Sequence, residues 1–184
     1  MKLKVGVSNR HVHLNKEDLE ILFGKGYELS LEFPLTQPGL FAAKEKVTIK
    51  SDSNYFEDVR IVGPIRSYTQ IEVSRSDANF LGINPPLRNS GDLKGSESIT
   101  LIGPVGTVFK KEGCIIALRH IHTNNKDILG VKSNVVSLRF KDKVIDNVRV
   151  KTNKDFALEL HIDKDEALEY GLKNKDYVDF EIGE

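Results

Sequence analysis

Apolar and polar residues alternate with period two, or β-branched residues cluster, in ten short stretches: 46–50 (KVTIK), 56–62 (FEDVRIV), 70–74 (QIEVS), 98–102 (SITLI), 106–110 (GTVFK), 113–118, 134–140 (NVVSLRF), 144–151 (VIDNVRVK), 156–161 (FALELH) and 177–182 (YVDFEI). Each pattern predicts a strand with one face toward a core. Three other places carry helix grammar, with a capping side chain, an acid three residues later and a glycine stop: Asn15, Asp18 and Gly24; Asn124, Asp127 and Gly130; Asp163, Glu166 and Gly171. Short helices are expected after each cap. Strands and helices do not alternate as βαβ units, so a doubly wound sheet is excluded in favour of a mainly β chain of antiparallel barrels capped by short helices. Segment 24–45, with its FPLTQPGLFA run, predicts an inserted hairpin, and 84–97 (NPPLRNSGDLKGSE) a surface loop. The stretch from Gly63 to Asp77 concentrates polar groups between two strands; it reads either as an ordinary charged turn or as a functional segment carrying Arg66 and Glu72.

One motif recurs. Arg10-His11-Val12-His13-Leu14-Asn15 returns as Arg119-His120-Ile121-His122-Thr123-Asn124, and Leu160-His161-Ile162 sits in a matching context just before its own cap. A repeat separated by about half the chain implies two similar lobes. The last histidine of each copy is expected two residues before a helix cap, at a strand end.

Composition narrows the functions. The 184 residues carry 27 basic and 27 acidic side chains, so no net field draws in nucleic acid or an anionic membrane. No apolar run is long enough to span a bilayer, and the start of the chain reads as a short polar lead into a strand rather than a signal peptide, so a cytoplasmic protein is expected. The single cysteine, Cys114, lies in the apolar run GCIIAL with no neighbouring charge to activate it and is expected to be a core thiol. It excludes an internal disulfide and a cysteine-rich zinc site.

Only five histidines are present, and four form the two His-x-His pairs. Residues i and i+2 of a strand share a face, so His11 and His13 can reach one metal ion, and His120 and His122 another. Each pair needs a further ligand, for which His161 and a carboxylate such as Glu72 are candidates. Imidazole-rich ligation without thiolates favours zinc, with cobalt, manganese and iron as alternatives. Arg66 has the planar fork suited to holding phosphate.

VSNRHVHL at the start, GPIRSYTQIEVSRSDA in the middle, RHIHTN and then LHIDKDEA occur together and in order. With these motifs the chain resembles the PduL-type phosphotransacylases, the phosphate propanoyltransferase family, from about residue 5 to the C-terminus. The resemblance implies reversible acyl transfer between a short-chain acyl-CoA, propionyl-CoA or acetyl-CoA, and inorganic phosphate. It also implies two tandem barrels, one made of residues 1–9 and 118–184 and the other of 10–117, with two zinc ions per chain at their interface. One zinc would be held by His11, His13 and Glu72, with a fourth position for the CoA sulfur; the other would be held by His120, His122 and His161. Arg66 would bind phosphate, and Val7, Ser8, Asn9 and Arg60 would lie along coenzyme A. Two positions depart from the family pattern: Leu168 stands where an asparagine near CoA is usual, and Ser53 lies near the place of a usual lysine. Some family members carry an amphipathic N-terminal helix for microcompartment targeting, and the few residues before the first predicted strand leave no room for one.

Two other functions use the same residues. A dinuclear zinc hydrolase would direct metal-bound water at an ester, and a non-catalytic duplicated barrel would hold metal in closed coordination. A homodimer is compatible with the sequence, although no feature specifies it.

Overall fold

The computed structural model describes all residues from Met1 to Glu184. The chain divides into two compact units, one formed by Met1–Asn9, Thr36–Pro38 and Leu118–Glu184, the other by Arg10–Leu35 and Gly39–Ala117.

The second of these holds β2 (His11–His13), β3 (Leu31–Pro34), β4 (Phe41–Lys50), β5 (Tyr55–Gly63), β6 (Gln70–Glu72), β7 (Leu87–Arg88), β8 (Glu97–Ile102) and β9 (Thr107–Ala117), with helices α1 (Lys16–Phe23) and α2 (Arg75–Leu81). Strand β8 pairs with both β4 and β9, which closes the ring β4-β5-β2-β6-β9-β8 into a barrel. Strands β3 and β4 form an antiparallel hairpin. The other unit holds β1 (Lys2–Ser8), β10 (His120–Thr123), β11 (Val135–Phe140), β12 (Lys143–Thr152), β13 (Glu159–Asp163), β14 (Tyr177–Asp179) and β15 (Glu181–Gly183), with helix α3 (Lys164–Tyr170) and a 3-10 turn at Lys126–Leu129. Its sheet runs β14-β1-β13-β10-β12-β11-β15. Only Phe180 separates β14 from β15, so the two ends of the sheet are covalently joined through one buried aromatic.

The two units share a plan. Strand β2 lies between parallel β5 and antiparallel β6, and β10 lies between parallel β12 and antiparallel β13. Strand β6 runs parallel to β9, and β13 runs parallel to β1. The first strand of the chain therefore does in one unit what β9 does in the other. Each unit has its own core, one around Val12, Leu14, Ile61, Ile71 and Leu101, the other around Leu3, Val5, Ile121, Leu160 and Phe180. The middle residues of the two His-x-His pairs, Val12 and Ile121, are completely buried. Burying one such side chain is worth about 1.5–3 kcal/mol, and strand alternation then turns both flanking histidines to the opposite face of the sheet.

Several elements differ from expectation. The stretches 106–110 and 113–118 merge into one strand, β9 (Thr107–Ala117), because the charged Lys111-Glu112 between them stays on an exposed part of it. The pattern at 177–182 divides at Phe180, and β13 begins only at Glu159. The second expected helix is a 3-10 turn capped by Asn125 rather than Asn124, since β10 continues through Thr123. The polar stretch after Gln70 contains a full helix, α2, started by a capping box in which Ser74 and Asp77 satisfy each other's backbone N–H groups.

Candidate metal centres

His11 and His13 leave β2 on one face, and the antiparallel register sets Glu72 of β6 directly opposite His11. Opposed residues of such a pair have Cβ atoms about 5 Å apart, so the three side chains converge. His11 Nε2 and His13 Nε2 lie 3.1 Å apart, while Glu72 Oε2 is 3.4 Å from the former and Oε1 is 3.6 Å from the latter. His13 Nδ1 faces the Val62 carbonyl at 3.3 Å, which places its proton there and leaves the Nε2 lone pair for a ligand. Burial pushes the His13 pKa down to about 4, against the pull of Glu72. Burial alone would raise the Glu72 carboxyl, but facing His11, His13 and Arg66 it is held well below the usual range.

The C-terminal unit repeats the arrangement with one change. His120 and His122 leave β10, and the residue opposite His120 is His161 of β13. The His120 and His161 rings stack with centroids 5.1 Å apart, and His122 lies 4.6 Å from each. His120 Nδ1 sits 2.8 Å from the Leu118 carbonyl, freeing Nε2. His122 Nδ1 is buried with no hydrogen bond, and the buried His161 Nε2 has Glu159 Oε2 as its one close polar neighbour, at 2.5 Å. Burial, with Lys151 and the neighbouring imidazoles, holds His120 well below its ordinary value; burial with His161 and Lys151 takes His122 down to about 3. In each group the potential ligand atoms all lie within 4.8 Å of one another. Imidazoles that converge on one point, joined at one site by an ionised carboxylate, are the donor set a divalent cation of the zinc type takes.

The arginine of each repeat ties the histidine strand to the helix that follows the third ligand. Arg10 Nη1 pairs with Asp77 Oδ1 of α2 at 3.0 Å, and Arg119 Nε pairs with Glu166 Oε1 of α3 at 3.1 Å. Both acids are also the capping-box residues of their helices.

Arg66 accompanies the first group. Its backbone N–H donates to the Leu14 carbonyl, and Nη1 donates to Tyr68 Oη at 3.2 Å and to Ser90 Oγ at 3.0 Å. The other guanidinium N–H groups make no bond within the protein, which leaves them for an anion. Ser90 also accepts from Gln70 Nε2, and Gln70 in turn donates to Glu72. Of the remaining candidates, the Val7 N–H donates to Asn174 Oδ1, Ser8 ends β1, and Asn9 is exposed beyond it. Arg60, opposite His11 on β5, is bonded to Glu32 and lies over the Phe33 ring at 5.0 Å. Leu168 is 85% exposed on α3, and Ser53 is exposed in the β4–β5 turn. Cys114 is fully buried, and burial raises its thiol pKa.

A family model for phosphate propanoyltransferase matches residues 4–174. The chain belongs to the phosphate propanoyltransferase family. A phosphate propanoyltransferase of Thermotoga maritima is 50% identical over 181 residues, covering 95% of this chain and 86% of that protein. One from Rhodobacter capsulatus is 46% identical over 176 residues, covering 92% and 82%, and one from Salmonella typhimurium is 40% identical over 179 residues, covering 94% and 85%. Like the family, this chain is an acyltransferase. No helix is long and apolar enough to cross a membrane.

Four side chains around the histidines had no signal of their own in the sequence: Gln70, Ser90, Glu159 and Gln37. Only pairing register and loop closure bring them to the ligands. The α2 cap, by contrast, was written in Ser74, Asp77 and Gly82.

Proposed function

We propose that the chain transfers a short acyl group, propionyl or acetyl, reversibly between coenzyme A and inorganic phosphate with two zinc ions. One ion is assigned to His11, His13 and Glu72, the other to His120, His122 and His161. The supporting observation is the pair of convergent three-ligand groups, one of them beside an arginine with unused donors. Zinc so held supplies a Lewis acid that stabilises a departing thiolate and polarises a thioester carbonyl.

The chain's own residues do the rest. Arg66, fixed by Tyr68 and Ser90, binds phosphate and orients one oxygen for attack on the thioester carbon. The C–S bond breaks as the C–O bond forms, and the electron pair leaves on sulfur. An acyl-enzyme is disfavoured because Cys114 is sealed in the core and all five histidines lie in the two ligand groups, which leaves none as base for a serine. Val7, Ser8, Asn9 and Arg60 are assigned to coenzyme A. The cytoplasm, reducing enough to keep a lone thiol free, suits the reaction.

The test is purified protein with propionyl-CoA or acetyl-CoA and phosphate, following free thiol and measuring metal in the same sample. Thiol release that requires phosphate, with about two zinc ions per chain, is expected. Thioester loss indifferent to phosphate would point instead to a hydrolase.

A further inference from the structure

The two centres differ at the third ligand, and they also differ at the residue two places before it. Gln70 lies opposite His13 on β6, and Glu159 lies opposite His122 on β13, so the two occupy the same register position. Both are sealed from solvent, at 0% and 3% exposure. Gln70 Nε2 donates to Glu72 Oε1 at 2.6 Å, and Glu159 Oε2 lies 2.5 Å from His161 Nε2. Where the ligand is a carboxylate, which only accepts, its neighbour is an amide donor. Where the ligand is an imidazole, its neighbour is an acceptor.

We propose that Gln70 and Glu159 are matched positioning residues, each holding the third ligand of its centre through chemistry complementary to that ligand. The proposal rests on the two-metal reading. A carboxylate sealed from water is strongly unfavourable unless it is paired, so Glu159 is not filler. Each positioning residue is also held in place. Gln70 Oε1 accepts from the Gly91 N–H at 2.7 Å, and its amide nitrogen reaches Ser90 Oγ at 3.0 Å. Glu159 accepts from Gln37 Nε2 at 3.1 Å, and Gln37 is clamped to Ala157 by two further hydrogen bonds. Gly6, beside His161 on β1, leaves the room Glu159 needs, because a Cβ there would stand 3.0 Å from its carboxylate. A carboxylate beside a ligating imidazole orients the ring and strengthens it as a donor, and loss of such a partner lowers metal affinity about 10–100-fold.

The experiment is competition for zinc against a chromophoric chelator, with cobalt substitution as a spectroscopic readout. Glu159→Gln is expected to weaken one of the two ions about 10–100-fold and to shift the cobalt bands of that ion alone; Gln70→Glu does the same to the other ion. The double variant Gln70→Glu with Glu72→His, which transplants the acid–imidazole pair into the N-terminal centre, is expected to bind zinc there at least about tenfold more tightly than either single variant. That rescue distinguishes positioning from mere folding, which circular dichroism checks independently. A double variant no better than the better single one, or wild-type affinity and cobalt spectra in Glu159→Gln, overturns the proposal. Wild-type protein that takes up no zinc overturns instead the two-metal reading beneath it.

Discussion

The His11/His13/Glu72 group and the His120/His122/His161 group are built on the same strand plan, yet they differ in charge. With Glu72 ionised, a divalent ion in the first would keep a net charge of about +1, and in the second, with neutral ligands only, about +2. A more positive centre withdraws more electron density from whatever completes its coordination, whereas a partly neutralised one more readily accepts and releases an anionic sulfur. Under the proposed two-metal reading, this one difference within a duplicated framework would suit the first centre to the leaving group and the second to polarisation. The register makes Glu72 and His161 structurally equivalent, so the difference lies at a single position.

The sharpest way to break that comparison is to empty one centre at a time. His11→Ala and His120→Ala are each expected to lower zinc content by one ion and phosphate-dependent CoA release by about a thousandfold or more, measured by elemental analysis and a thiol assay on the same samples. Appreciable turnover in either variant would mean that only one centre serves the reaction.

Acid distinguishes the metal-free barrels next. Because burial lowers the His13 pKa from 6.5 to about 4, the unfolded chain binds a proton between those values that the folded chain refuses. Stability therefore falls as pH drops through that window, by up to about 3 kcal/mol from His13 alone, and His122, at about 3, acts in the same direction in its own unit. Urea unfolding in chelator at pH 7 and pH 5 reads this, and coincident midpoints would show that the imidazoles relax into solvent.

Arg66→Lys tests the element that only the N-terminal centre has. Losing the forked donor is expected to raise the phosphate KM about 10–100-fold with zinc content unchanged; an unchanged KM would remove Arg66 from phosphate binding. The smallest effect concerns the helices behind the third ligands. Ser74→Ala and Asp163→Ala each remove a cap and are expected to cost about 1 kcal/mol, with similar urea shifts if the two units are energetically alike.

How much was legible follows from what each half of the repeat retained. The His-x-His segments share their arginine, both histidines and asparagine, so duplication and candidate ligands are visible directly. The β6–α2 and β13–α3 segments kept only a pattern: QIEVSRSDANFLG and ELHIDKDEALEYG share alternation, a capping pair and a terminal glycine but few identities. For that reason α2 is less legible than the helix after His161, and His161 reads as a third copy of the histidine motif, whereas its structural counterpart is Glu72. Uninterrupted alternation through Phe180 concealed a break between strands, because the backbone turns a corner there without changing which residues are buried. Gln70 and Glu159 were hidden because their meaning lies in a neighbouring strand.

The placement of β1 has a consequence for biosynthesis. Its parallel partner is β13, with Lys4 facing Glu159, so one of the first strands translated must wait for one of the last. At ordinary elongation rates that interval is roughly 8 to 30 seconds, during which a strand with buried Leu3 and Val5 has no sheet to join. The ring around β2 draws only on residues translated by Ala117 and can close meanwhile. Nascent chains are therefore vulnerable at β1, and chaperone or ribosome-surface contacts with that strand would protect them until the second barrel closes.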